Sequence, residues 1–528
     1  MEKKTVTLVI FNIIAILFIL FVGSLTAVNP FYGDINFIDE GQIAVWVHHL
    51  FVGKVVYKDF FMSYGPLFVF PYFIGAKLLG QSVFLIRIVT ALIFFFPGFL
   101  IVQYVIKMCK PPIALFYTSL VLLLLIPGIS LRQEIGFFVL VCLLSAFDKE
   151  SKNWAWLAGI SSCVSFLISP EIGIFSFIIA LLFFVYQYVA VSTGKKTTIF
   201  SLYYLSGLMS SFVVFALYAL AHGWLSDYIT NTNMVLTVFS GVNSPNGMNF
   251  PYIVDLLSQN SSLYQWIHSF ISQQMLLYWV LLLFIITAYY LFIKFIGRTI
   301  THEDKIIVFV LMYSLLLFIS IVGRPGHFFL IMPSVIILCS FFVSLLIKQV
   351  QYDKKDTVGK YSAIVLLIFI LAFSLRVLYI FHPNLRQLSR LPISFVEAKH
   401  NPSGVGPILL SQQQKKYITQ TKSDIASYTT KRDLIYILSD EPMLYVLVDR
   451  ENPSKYDLPF VASSLEQQYE IIQSLQVHPP KLIMYNANSW PVDGVSNIRR
   501  LSKVYEFIRR NYQIEKRENG VTYYLLKH

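Results

Sequence analysis

Apolar residues in this chain come in blocks long enough to cross a bilayer, and nothing constrains its fold more. A helix needs about 20 apolar residues to span the hydrocarbon core. Candidate spans fall at roughly 6–28, 83–106, 112–129, 135–147, 154–170, 172–190, 198–221, 273–296, 305–322, 328–347 and 361–381. Only 13% of the 528 residues are charged, where a soluble domain has about 25%. So few charges do not make a water-soluble surface. The apolar stretch 68–79 is too short to cross and reads as a re-entrant or interfacial helix. The opening run to Val28 is long for a signal peptide and lacks a small-x-small cleavage site, so it reads as a retained first helix.

The net charge of +12 follows the loops rather than a nucleic-acid footprint, since no basic stripe interleaves with aromatics. With the N-terminus inside, the inner loops hold Lys3, Lys4, Lys107, Lys110, Lys149, Lys152, Lys195, Lys196, Arg298, Lys305, Lys348, Lys354, Lys355 and Lys360. The outer loops hold Lys54, Lys58, Arg132 and Arg324, and residues 222–271 contain no Lys or Arg at all. The positive-inside rule then puts the N-terminus in the cytoplasm and the C-terminus outside. Cys109, Cys142, Cys163 and Cys339 lie in or beside apolar segments without metal-type or disulfide spacing, and read as small buried hydrophobes.

Two domains are expected. Residues 1–381 form a polytopic transmembrane helical bundle of about 11 spans, and residues 382–528 form a soluble α/β domain on the outer face. In the tail, Asp433–Val448 opens with a strand, Lys481–Tyr485 is a buried strand, and Arg499–Asn511 is helical. Tyr512–Leu526 alternates around Asn519-Gly520, a hairpin signal.

The stretch richest in chemistry is the first outer loop. It carries Asp34 and then Asp39-Glu40-Gly41. Farther on come Lys54, Tyr57, Lys58 and Asp59, flanked by aromatics, and then Tyr64-Gly65-Pro66-Leu67 before the short apolar helix. A plainer reading has Asp39 capping a helix that begins at Gly41.

These two elements resemble the GT-C class of membrane glycosyltransferases, which includes protein O-mannosyltransferases and the aminoarabinose transferase of lipid A. The likeness extends to bacterial dolichyl-phosphate-mannose mannosyltransferase-like proteins. The resemblance makes Asp39-Glu40 the catalytic carboxylates of the first outer loop. It makes Asp59 the second acid, although Tyr-Gly-Pro stands here where many members have His-Pro-Pro. It implies a mainly α, GT-C-like fold and transfer of a hexose or pentose from a polyprenyl-phosphate donor. The acceptor is a lipid, glycan or protein, reached on the extracytoplasmic face of a bacterial inner membrane.

The residue types suit that reaction. A carboxylate takes the acceptor proton as bonds change, and fixed cations or a divalent metal stabilise the departing phosphate. Candidate phosphate and substrate partners are Lys54, Tyr57, Lys58, Tyr64, Arg132 with Glu134, and Arg324 with His327. Glu171, at the outer end of a span, is placed to orient an arginine or to bind acceptor. Asp440-Glu441-Pro442 in the tail reads as a turn. Two other readings compete: a flippase or transporter of a lipid-linked glycan, and a glycan polymerase or ligase. A transporter should carry mid-membrane charges and repeated halves, whereas the charges here cluster at outer ends.

Overall fold

The computed structural model describes residue 31 and residues 33–93, 131–190, 194–238, 273–322, parts of 331–345, and 401–527. The expected spans at 6–28, 112–129 and 361–381 lie outside the described residues, as do Cys109, Arg324 and His327. The chain divides into two compact units. One takes 1–28, 90–215 and 247–388; the other takes 29–89, 216–246 and 389–528.

The first unit is helical. Its helices include Leu131–Asp148, Lys152–Ile168, Pro170–Ala190, Gln273–Ile296 and His302–Val322, and most of Gly194–Ala221. Among the described residues, Pro170–Val189, Lys196–Ala221 and Tyr278–Ile296 are long and apolar enough to cross a membrane. Large apolar side chains such as Leu202, Leu205, Val214 and Leu217 stand exposed along one of them. Water would penalise such a face; lipid would not. Helices Lys152–Ile168 and Pro170–Ala190 are separated only by Ser169 and fold back on each other. Gly173 packs against the backbone of Phe166, and the hydroxyls of Ser165 and Ser176 lie 3.3 Å apart. Small residues also let two backbones touch where Gly159 meets Tyr204 and Gly207 meets Trp156. Cys142, Cys163 and Cys339 are buried and unpaired.

The second unit is built from three stretches of chain that lie far apart in sequence. Its early helices are α1 (Asp39–Phe51), α2 (Phe70–Leu79) and most of α3 (Val83–Ile93). Helix α2 is a ten-residue helix that buries Tyr72 and Ala76 and exposes Phe70, Ile74, Leu78 and Leu79, a face suited to the membrane interface. Residues 222–271, read from sequence as a loop, contain a helix, α4 (Leu225–Val238). Its Trp224–Tyr228 end packs on Tyr57, and Val235 enters a core, so tertiary packing supplies what local propensity did not.

The late elements are α5 (Gln412–Tyr428), β1 (Ile435–Ile437), α6 (Met443–Val448), α7 (Leu465–Val477), β2 (Leu482–Asn486), α8 (Ser502–Asn511), β3 (Tyr512–Glu518) and β4 (Val521–Leu526). The sheet runs β1-β2-β4-β3, with β1 parallel to β2 and the other pairs antiparallel. Both Asn519 and Gly520 have positive φ, which is what the tight β3–β4 hairpin requires. Ser464 and Gln467 close a reciprocal capping box at the start of α7. One apolar core gathers Tyr436, Leu438, Ile471, Ile483, Val504 and Ile508, and it also takes in Phe61 and Val235 from the early stretches.

Candidate functional site

The acidic loop is held by its own side chains and by residues far along the sequence. Asp39 does not cap a helix starting at Gly41. Helix α1 begins at Asp39 itself, with Ile38 as N-cap. The free amides are met from outside, because Asn36 Oδ1 accepts from the Ile38 and Asp39 N–H groups. Both acids then fall in the first turn, where the helix dipole favours negative charge.

Each acid has a distinct setting. Asn36 Nδ2 donates to Asp39 Oδ2 at 2.7 Å. Asp39 reaches solvent, yet the surrounding protein desolvates its carboxyl and raises its pKa; the neighbouring Glu40 charge adds to this and the Asn36 bond opposes it. Glu40 is gripped by Arg87 on α3, with Nε on Oε1 at 2.6 Å and Nη2 on Oε2 at 3.1 Å. The same guanidinium donates to the carbonyls of Gly33 and Asp34 at 3.0 and 2.8 Å. Arg87 is buried, so this two-pronged bond works in a weakly screened setting. The sequence reading missed Arg87. Its signal was a lone charge in an apolar run, which is costly unless paired.

Helix α5 holds the other edge of the loop. Asp34 accepts from the backbone N–H and hydroxyl of Ser411, both at 2.8 Å. Ile35 exchanges two bonds with the Gln414 carboxamide, at 2.7 and 3.0 Å. Position 41 excludes a Cβ, because one there would lie 2.5 Å from the backbone nitrogen of Met443. Acidic loop, α1, α3, α5 and α6 therefore pack as one body.

Asp59 bonds its own turn: its Oδ2 accepts from Val55 N–H at 2.7 Å. Among the described residues no hydrogen bond or ion pair joins it to Asp39 or Glu40. Tyr57 is buried in a left-handed conformation at φ 68°, with its hydroxyl donating to the Tyr64 carbonyl at 2.9 Å. Burial pushes its phenol well above the ordinary value, with Tyr228 contributing. Tyr64 packs on Phe68 and Trp46. Lys54 pairs with Glu451 at 3.0 Å, and Lys58 is exposed.

In the helical unit, Arg132 forms an ion pair with Glu171 and donates Nε to the Ser169 hydroxyl at 2.9 Å. These three residues bind two helix starts to one turn. The side chain of Glu134 lies outside the described set, as do Arg324 and His327. Among the described residues no group of three or more His, Cys, Asp or Glu is arranged to hold a metal. Glu40 is committed to Arg87 and Asp59 to its own backbone, so the three expected acids do not form a cation cage.

A helical unit with long apolar helices, an acidic loop at the start of the first described helix, and a late α/β segment that grips this loop make up a fold that solved structures share. Two crystal structures of ArnT from Cupriavidus metallidurans match it end to end. The one bound to undecaprenyl phosphate has a TM-score of 0.50 and 11% identity, covering 98% of both chains. The apo form has a TM-score of 0.50 and 12% identity, covering 99% of this chain and 98% of ArnT. The apo oligosaccharyltransferase of Archaeoglobus fulgidus matches more loosely, with a TM-score of 0.38 and 12% identity over 90% of this chain and 69% of that one. No family model matches the sequence, and no curated protein is similar to it by sequence search.

Proposed function

We propose that this protein transfers a sugar from a polyprenyl-phosphate donor to a lipid, glycan or protein acceptor at the outer face of a bacterial inner membrane. The observation that carries the reading is Asp39: an accessible carboxyl with a raised pKa, on a loop fixed by the Arg87–Glu40 clamp. A fold shared with ArnT, one of whose structures is bound to undecaprenyl phosphate, supports the donor class.

In this reading Asp39 takes the proton from the acceptor hydroxyl or amine. The freed lone pair attacks the anomeric carbon, and the bond to the lipid phosphate breaks with its electrons leaving on the phosphate. A single displacement inverts the anomeric centre and needs one base, unlike hydrolysis by paired carboxylates. A raised pKa makes Asp39 a stronger base than an ordinary carboxylate. Glu40 and Arg87 position the loop, and Asp59 supports the neighbouring turn. The leaving phosphate is assigned to a cation among Lys54, Lys58, Arg132 and Arg324. In this proposal residues 1–381 are the membrane domain of about 11 spans, with the N-terminus inside, and residues 382–528 lie outside.

Reconstitution tests it. Full-length protein in proteoliposomes is given a radiolabelled polyprenyl-phosphate sugar and an envelope extract as acceptor. Label moving from donor to acceptor is expected. Donor that crosses the bilayer unchanged, with no transfer, makes the protein a flippase and ends the reading. A chelator arm decides whether a divalent metal takes part.

A further inference from the structure

A cavity of about 500 Å³ opens within the second unit, at the end of α1 remote from Asp39. His48, in the last turn of α1, lines it. Nine residues at about 1.5 Å each put that point roughly 14 Å from Asp39. The volume far exceeds a bare ion and falls in the range of small-ligand sites, about 300–1,000 Å³.

The floor is aliphatic, with Ile425, Leu447 and Val448 buried in it. The charged lining is Lys422, Lys431 and Arg450 against a single carboxylate, Asp449. Arg450 is used by the structure: it bonds Thr429 and the carbonyls of Val448 and Asp449. Lys431 is taken by Asp449 at 2.8 Å. That leaves Lys422. It is half-buried, and among the described residues its ammonium meets only the neutral hydroxyl of Ser403, at 3.1 Å. An ammonium partly removed from water wants a charged acceptor. Burial holds its pKa below the ordinary lysine value, and Asp449 offsets this only in part.

We infer that this cavity binds a saccharide carrying an anionic group, a phosphate or carboxylate, with Lys422 as the contact to the anion and the aliphatic floor against the carbon face of the ring. Within the transferase reading, on which this role rests, the ligand is a part of the acceptor lying beyond the reacting hydroxyl. Tethering at a point remote from the base would set acceptor choice without touching the chemistry.

Calorimetry on detergent-solubilised full-length protein tests the site, with glucose 1-phosphate and glucose as probes. The sugar phosphate should bind and glucose should bind at least about tenfold more weakly, the difference being charge-assisted bonding. Lys422→Met should weaken glucose 1-phosphate by about tenfold, while Lys422→Arg, which keeps the charge, should stay within about threefold. Retention of the Arg variant shows that the Met variant fails through charge rather than folding. Equal binding by the Met variant and wild type places the anion elsewhere and overturns the proposal. The same titration in phosphatidylcholine and phosphatidylglycerol nanodiscs separates ligand sources. Equal affinity in both is expected; displacement of the sugar phosphate by phosphatidylglycerol assigns the cavity to a lipid headgroup and also overturns it. No sugar transfer enters these readouts, so they fail or succeed independently of the transferase reading.

Discussion

The second unit carries two Asp-Glu dipeptides, Asp39-Glu40 and Asp440-Glu441, and each stands just ahead of or at the start of a helix. The helices that follow touch, since Gly41 abuts the backbone of Met443. Their settings are opposite. Asp39 faces solvent, and Glu40 is matched by a guanidinium. Asp440 and Glu441 are buried, and their bonding is dominated by neutral groups: Tyr417, Ser439 and Asn486 on Glu441, and the Phe460 N–H on Asp440. Burial pushes the Asp440 carboxyl up to about 6 and raises Glu441 as well. One pair is accessible and held in place by a cation. The other is a buried polar strut. Identical dipeptides acquire different work from what surrounds them, not from their own chemistry.

The comparison can be broken at its strongest point by Asp39→Asn. Sugar transfer should fall by at least about 10²–10⁴-fold, the usual contribution of a positioned base. Stability should not fall. A carboxyl whose folded pKa is raised disfavours the native state once ionised, so its stabilising contribution is present at low pH and lost as pH rises through the folded pKa. The amide removes that cost, and a melting curve at pH 7 reads it. For the same reason wild-type activity should decline on acidification at a higher pH than an ordinary carboxylate would give, and a pH–rate profile shows it.

Arg87→Ala comes next. It leaves Glu40 half-buried without its partner, which costs about 3–5 kcal/mol when a buried pair is broken. Loss of both activity and thermal stability is expected, in contrast to Asp39→Asn. If Arg87→Ala melts like wild type, the clamp is not what fixes the loop.

Asp440→Asn should act in the other direction and leave transfer intact. With a folded pKa of about 6, the native state holds a proton between about pH 4 and 6 that the unfolded chain has released. Stability from this group is therefore full at the acid end and is lost as pH rises through 6. The amide should flatten that slope in denaturant titrations across the window. Lowered transfer would instead make the buried pair part of the reaction. Asp59→Asn should have the smallest effect, within about twofold in rate, because an amide oxygen still accepts from the Val55 N–H.

Local patterns were readable in the sequence. The blocks that became helices Pro170–Ala190 and Gln273–Ile296 announced themselves by length. Leu482–Asn486 showed as a buried strand and Asn519-Gly520 as a hairpin turn, because both depend on neighbours in sequence. Arg132 and Glu171 were each singled out, and the fold pairs them. The grip of Ser411 and Gln414 on the acidic loop was not readable, since such a contact leaves no periodic trace. Nor was the bond by which the Asp59 carboxylate accepts from Val55 N–H in its own turn. The likeness in residue type between Asp39-Glu40 and Asp440-Glu441 carried no information about burial.

The bonds from Asp34 and Ile35 to Ser411 and Gln414 span 377 and 379 residues. Closure over that distance comes late, because its entropy must be paid before the contact gives anything back. During synthesis the acidic loop emerges early and waits for the last quarter of the chain to be made and folded. Until then its anchor on α5 is missing. A ribosome that stops short would leave the acidic loop without this anchor, so the loop is complete only when the chain is.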